Sequence, residues 1–301
     1  MPTPTRLADM YRLLGPRPTA TLARAAGRTH EPTHFAGRQG YDSAFLDTFE
    51  VPLPQPTADV LPIPGSPDNR LDYTHFSVVM SRSRKMAMFV AVNIEGQSLV
   101  AVERSNDRWF YDGRIPQEAQ LGEELYADNL LDRGHLVRRQ DPNWGELAEQ
   151  ANEDTFHFTN CAPQMSAFNQ KTWLSLEDFV LENARVAKSR ISVITGPVFG
   201  EGDRTYRGVG IAEAYWKVIA FMNDDGRPSA TGYMIDQSSE LGQLDIIFGR
   251  FRTYQRSIRS IEQLTGLDFG VLSEYDGFSN EEAATGTRIK AEIRSAADIL
   301  V

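Results

Sequence analysis

The sequence predicts an α+β domain, with a central antiparallel sheet flanked by helices and a proline-rich N-terminal extension. Three observations predict it. Two pairs of strand-like apolar runs are each joined by a short polar turn, as hairpins are. Strand-like and helix-like segments do not alternate regularly, which argues against a doubly wound parallel sheet. Many of the chain's 16 prolines fall within the first seventy residues, where no regular period is visible.

Residues 1–70 read as an arm and an irregular extension, with a short helix near Leu7 to Leu14. The run "VPLPQPTADVLPIPGSPDN" is too rich in proline for regular structure. From 71 to 301 the pattern is that of a second, regular domain. "YTHFSVVM" and "MAMFVAVNI" form one hairpin, joined by the basic turn "SRSRK". "ISVIT" is a short strand. "YWKVIAFM" and "SATGYMID" form a second hairpin, with Asp225-Gly226 as its turn signal. "TYQRSIRSIEQLTG" reads as a helix stopped by Gly266, with Ile258, Ile261 and Leu264 at helical spacing.

At 301 residues the chain can bury a large core, and 41% hydrophobic with 24% charged residues is ordinary for a soluble domain. No apolar run approaches the roughly 18 residues of a membrane span. The N-terminus lacks the pattern of a secretory signal. A single cysteine, Cys161, excludes an internal disulfide and a cysteine-rich zinc site. Cytoplasmic residence is therefore expected, with delivery as an effector by a signal-independent route left open. A net charge of −10 argues against a polyanionic partner at face value, but binding depends on local patches. Basic clusters do occur: six arginines in the first forty residues, "RGHLVRR" at Arg133 to Arg139, and "RFRTYQRSIR".

The segment "DRGHLVRR" places His135 two residues after Arg133 and just ahead of Arg138 and Arg139. Histidine moves protons at neutral pH, and arginine grips phosphate or carboxylate. Downstream, "FHFTN" alternates like a short strand, Pro163 breaks it, and Ser166 can cap a helix running to about Lys188. On that helix Asn169, Trp173 and Glu177 follow one another at intervals of four and share a side. A carboxamide oxygen and a carboxylate so placed suit Mg²⁺, which takes hard oxygen donors and keeps most of its waters. Taken alone, the helix is better read as a half-buried element with a polar edge.

Together these segments form a ββα unit, and here the sequence resembles the DNA/RNA non-specific endonucleases of the ββα-metal (His-Me finger) superfamily, which include mitochondrial endonuclease G. The DRGH signature matches at Asp132 to His135. A second signature matches at Asn160, Pro163, Gln164, Asn169, Gln170, Trp173, Leu176 and Glu177, and the likeness spans about Tyr73 to Tyr275. The resemblance implies hydrolysis of phosphodiester bonds in DNA and RNA, leaving 5′-phosphate ends. It implies His135 as general base, Mg²⁺ (or Mn²⁺) ligated directly by Asn169, and Glu177 holding metal-bound water. Asn160 or Gln164 would assist through water. Arg133 would hold the phosphate, with Arg108 as first and Arg114 as second candidate for a further arginine. Arg138 and Arg139 would contact nucleic acid. It also implies a homodimer. A nuclease inside a cell would endanger that cell's own genome, so regulation is expected, by an inhibiting or activating partner protein, by delivery as a toxin or by activation in defence. Two other readings stay open: an inactive nucleic-acid-binding protein of this fold, and a phosphodiesterase acting on another substrate.

The remaining residues receive structural assignments. His30, His34, His75 and His157 have no catalytic role, and no HExxH or His/Cys spacing supports zinc. Asp132 orients the strand or the histidine, and Cys161 is a buried inert thiol. "GVG" at Gly208 to Gly210 is too short for a dinucleotide fingerprint.

Overall fold

The structure is a computed structural model that describes residues 28–104, 108–127, 131–165, 180–182, 184–223, 225–237 and 252–293. The expected helix near Leu7 lies outside these residues. In chain order the principal strands are β1 (Thr29–His30), β2 (Arg70–Asp72), β3 (Phe76–Met80), β4 (Ala87–Glu95), β5 (Tyr111–Asp112) and β6 (Leu131–His135). They continue as β7 (Cys161–Met165), β8 (Arg190–Val198), β9 (Ala214–Met222), β10 (Pro228–Asp236), β11 (Arg252–Arg256) and β12 (Lys290–Ile293). The principal helices are α1 (Ala148–Asp154), α2 (Ile258–Thr265) and α3 (Gly277–Thr285).

Eight of these strands form one sheet in the order β12-β11-β10-β9-β8-β4-β3-β2, and every pairing is antiparallel. Both hairpins read from the sequence are present. In the second, Met222 faces Pro228, and the turn closes where the Asn223 amide donates to the Arg227 carbonyl at 2.9 Å. Gly226 takes φ 70° there, a conformation that favours glycine.

The central strands are apolar almost without interruption because both faces of the sheet are covered. On β4, Val90 and Val92 enter one core while Phe89 and Ala91 enter the other. On β9, Tyr215 and Ile219 face the first core and Trp216 and Val218 the second. The alternation of side chains along a strand thus fills two cores instead of one core and a wet face.

Besides "FHFTN", where Phe158–Asn160 form a 3₁₀ turn instead of a strand and the strand starts only at Cys161, two elements differ from the sequence reading. Thr253 to Arg256 are strand, paired with β10, and the helix begins only after Ser257. The Ser257 hydroxyl accepts from the Ser260 amide, and Gly266 ends the helix at φ 69°. Ile258 and Ile261 are fully buried, whereas Leu264 is 43% exposed, so the apolar stripe is shorter than its spacing indicates. The other difference is at Pro163, read as a break. It lies inside β7, opposite Arg133. A two-stranded ribbon leaves an outer edge free, which tolerates a residue without an N–H.

The extension from 28 to 70 is irregular, yet it packs closely on the sheet. Phe35 joins the first core, while Tyr41, Leu46, Phe49 and Val51 join the second. One buried ion pair ties it down: Arg38 Nε and Nη2 donate to the Asp154 carboxylate at 2.9 and 3.2 Å. Asp154 is completely buried and also accepts from the Thr74 amide at 2.9 Å and hydroxyl at 2.7 Å. Removing one partner strands a charge in a medium that solvates it poorly. Arg38→Ala is expected to lower stability by about 3–5 kcal/mol, read as a fall in the urea midpoint. An unchanged midpoint would mean that the extension does not depend on this pair.

Candidate functional site

The DRGH segment is strand β6, and it pairs with β7 in a two-stranded antiparallel ribbon beside the main sheet. His135 faces Cys161, Gly134 faces Ala162, Arg133 faces Pro163 and Asp132 faces Gln164. The ribbon is joined to the sheet at its far end: Gln237 Oε1 accepts from the Met165 amide at 3.1 Å, and its Nε2 donates to the Ala212 carbonyl at 2.6 Å. Tyr215 reaches from the sheet to donate to the Pro163 carbonyl at 2.8 Å.

Gly134 is glycine for a local reason. A Cβ there would lie 2.1 Å from Oε1 of Gln164, a side chain that is itself completely buried. The Gln164 carboxamide finds no hydrogen-bond partner among the described residues, a costly arrangement for a buried amide.

His135 is half-buried against two aromatic rings. Its imidazole centroid lies 4.7 Å from the Trp109 ring and 5.0 Å from Phe156, the latter edge-on at 86°. The chain beyond it is gripped by Asn160. The Val137 amide donates to Asn160 Oδ1 at 2.8 Å, and Asn160 Nδ2 donates to the carbonyls of Val137 at 3.0 Å and Thr155 at 3.1 Å. The Leu136 amide donates to the Asn160 carbonyl at 3.0 Å. The side chain thus acts as a short length of strand, fixing the direction in which the backbone leaves His135. Asn160, offered by the resemblance as a holder of metal-bound water, has both its amide hydrogens committed to the backbone.

The arginines divide. Arg133 stands 3.2 Å from Glu123 and 5.8 Å from the centre of the Tyr126 ring, with its side chain 29% exposed. Arg114 is built into the core on the other flank. Its guanidinium chelates Asp112, donates to the Asp72 carbonyl at 2.7 Å and lies 3.8 Å over the Phe35 ring. Burial raises the cost of charge there, yet Asp112 is held below the usual carboxylate range by these bonds to Arg114. Arg139 gives Nη1 to the Val102 carbonyl and to Asn152 Oδ1. Arg138 is half-buried on the same loop, and Arg108 is exposed beside Trp109. Arg114 and Arg139 therefore serve the fold in this arrangement, while Arg133 and Arg108 stay accessible.

Asn169, Gln170, Trp173 and Glu177 lie outside the described residues. The end of the expected helix is described: residues 180–182 and 184–187 are helical, Val180 and Ala184 are buried, and Lys188 turns out at φ 52°.

Sequence reasoning missed one constellation. His30, His34 and His157 each place a ring nitrogen within 4.8 Å of the others'. The pair His30-x₃-His34 was visible, but its third member comes from 123 to 127 residues away, and no local spacing marks it.

A model of the family described as DNA/RNA non-specific endonuclease matches residues 57–273. The chain is 40% identical to the protein y4fB of Sinorhizobium fredii over 92% of its own length, and it spans only 45% of that relative. It is 25% identical to a nuclease of Nostoc over 68% of this chain and 74% of that one. The structure of an EndoG/EndoGI complex shares the fold, with a TM-score of 0.53 at 19% identity, covering 67% of this chain and 85% of that one.

Two outcomes follow from this geometry. Asn160→Ala leaves the Val137 amide buried without its acceptor, and a loss of about 1–3 kcal/mol is expected in urea denaturation. Cys161 is completely buried beside Tyr126, and burial pushes its thiol up to about 12. A thiol-specific disulfide reagent at pH 8 should label the unfolded chain fully and the native chain scarcely at all, since the thiolate is the nucleophile. Rapid native labelling would show that the ribbon opens readily.

Proposed function

The chain belongs to the DNA/RNA non-specific endonuclease family, and on that premise we propose that it is a metal-dependent endonuclease that hydrolyses phosphodiester bonds in both DNA and RNA. The observation that carries the reading is the seat of His135: a half-buried imidazole on a strand also bearing accessible Arg133, walled by Trp109 and Phe156.

In this mechanism a ring nitrogen of His135 takes the proton of the attacking water. The Asn160 grip and the aromatic wall limit the ring's orientations, so less entropy is lost when the water is aligned. Arg133 holds the phosphate, neutralising charge that grows as the water oxygen bonds to phosphorus. Arg108, exposed next to Trp109, is the preferred second phosphate contact. Because these groups recognise backbone phosphate, which carries little sequence information, cleavage is indifferent to base and to sugar.

The donor set fits a hard divalent cation. Asn169 would bind it directly and Glu177 through water, and the orphaned buried carboxamide of Gln164 suits an assisting bond to such a water. When bound, Mg²⁺ (or Mn²⁺) supplies a Lewis acid for the phosphate and the departing 3′-oxygen. Products carry 5′-phosphate ends. A protein inhibitor is the partner this reading calls for, because a non-specific nuclease endangers the genome of the cell that makes it. The solved EndoG structure that shares this fold is itself a complex with EndoGI, in which EndoG is inhibited.

Plasmid DNA and total RNA incubated with the protein should both be cut with Mg²⁺ and both spared with excess chelator. His135→Ala should lower the rate at least about 10²-fold with binding nearly unchanged. Asn169→Ala should raise the Mg²⁺ concentration needed for half-maximal cutting. Full activity in His135→Ala would remove it as base. Binding without cutting would leave the fold as a nucleic-acid-binding module.

A further inference from the structure

A cluster of three histidines lies on the opposite flank of the seam, formed by the Trp109–Phe110 and Phe156–His157 backbone, that supports His135. His30 ends β1, His34 sits in the 3₁₀ turn Pro32–Phe35, and His157 follows α1. His30 Nδ1 and His157 Nε2 are 2.9 Å apart. His157 Nδ1 lies 2.8 Å from the Asp154 carbonyl, which can only accept. Nδ1 therefore carries the ring proton and Nε2 points a lone pair at the cluster. A second hydrogen bond of this kind is what orients metal-binding histidines.

Burial and stacking hold the rings in place. His157 is completely buried, and burial depresses it to about 4, so it is an unprotonated imidazole at neutral pH. His30 is also lowered, by burial and then by His34. It is sandwiched between Phe110 and His34, each ring centroid 3.9 Å away and nearly parallel. His34 is partly exposed and can turn towards an ion.

We propose that His30, His34 and His157 form a structural transition-metal site, of the class that binds Zn²⁺, which staples the N-terminal extension to the seam behind His135. Three imidazoles favour Zn²⁺, Ni²⁺, Co²⁺ or Cu²⁺ over Mg²⁺, which takes oxygen donors. Nitrogens about 2.0–2.1 Å from a tetrahedral ion stand about 3.3–3.4 Å apart. His30 and His157 open by a few tenths of an ångström, and His34 swings in from the surface. His30 then carries its proton on Nε2 in place of Nδ1. Water completes the fourth position on the open side.

The seam explains why such a staple bears on the rest of the molecule. Phe110 and His157 are bridged, through amide–carbonyl bonds of 3.0 Å from Phe110 to Phe156 and 2.9 Å from Phe158 to Phe110. Trp109 and Phe156 face His135, while their neighbours Phe110 and His157 face His30. The same two strips of backbone thus carry the wall of one site and the ligands of the other.

The test uses the full chain, stripped with chelator, and does not depend on nuclease activity. Isothermal titration with Zn²⁺ should show one tight equivalent, undisturbed by millimolar Mg²⁺, and Zn²⁺ should raise the Tm. Co²⁺ in its place should give the visible bands of a tetrahedral ion. His34→Ala, a surface change that leaves the fold intact without metal, should weaken Zn²⁺ at least about tenfold. His135→Ala should bind Zn²⁺ as the parent does. Absence of a tight equivalent, or undiminished affinity in His34→Ala, overturns the proposal. Loss of affinity in His135→Ala alone would overturn it too, by placing the ion at the nuclease site.

Discussion

The carboxamide of Asn160 is the constraint on which the remainder of the site depends. It stands where a neighbouring strand would, offering acceptor and donors to the backbone that follows His135. The third bond, to the Thr155 carbonyl, links that backbone to the end of α1. A two-stranded ribbon is weak by itself, and its last residue would fray. Here the fraying end is held by a side chain from within the turn that precedes the ribbon's second strand. The imidazole inherits a fixed backbone, and the aromatic wall then has only a ring to position.

Around this clamp the molecule works as a frame with two covered faces. The eight-stranded sheet supplies rigidity because it is packed on both sides, one core lying beneath the ribbon and the other beneath the N-terminal extension and α2. The extension is irregular in backbone but not peripheral in energy. Tyr41 and Phe49 fill the second core, Phe35 enters the first, and Arg38 completes the buried network around Asp154. Asp154 is the more telling partner, since its carbonyl also orients His157. One short helix end therefore serves the ion pair, the histidine cluster and, through Thr155, the Asn160 clamp.

Much of this was legible in the sequence, and what was not has identifiable causes. The hairpins were readable because apolar runs and turn residues are local signals. DRGH was readable because a proton-transfer group, an anion holder and a glycine needed for close packing fall within four residues. The strand at Thr253 to Arg256 was read as helix because the genuine stripe of Ile258 and Ile261 begins directly after it. Pro163 was read as a break because sequence does not reveal that its strand pairs on one side only. Arg114 looked available for phosphate, and only the fold reveals Asp112, Asp72 and Phe35 around it. The histidine cluster was beyond any local rule, being assembled from both ends of a span of 127 residues.

The proposed mechanism requires the His135 imidazole to stand beside a divalent cation held by Asn169. With only five histidines in the chain, each imidazole can be followed separately by NMR after ¹⁵N-histidine labelling. Mn²⁺, a paramagnetic stand-in for Mg²⁺, should broaden the His135 signals at substoichiometric amounts while those of His75 stay sharp, and Asn169→Ala should remove the effect. His135 signals left sharp at saturating Mn²⁺ would rule out an ion at that position.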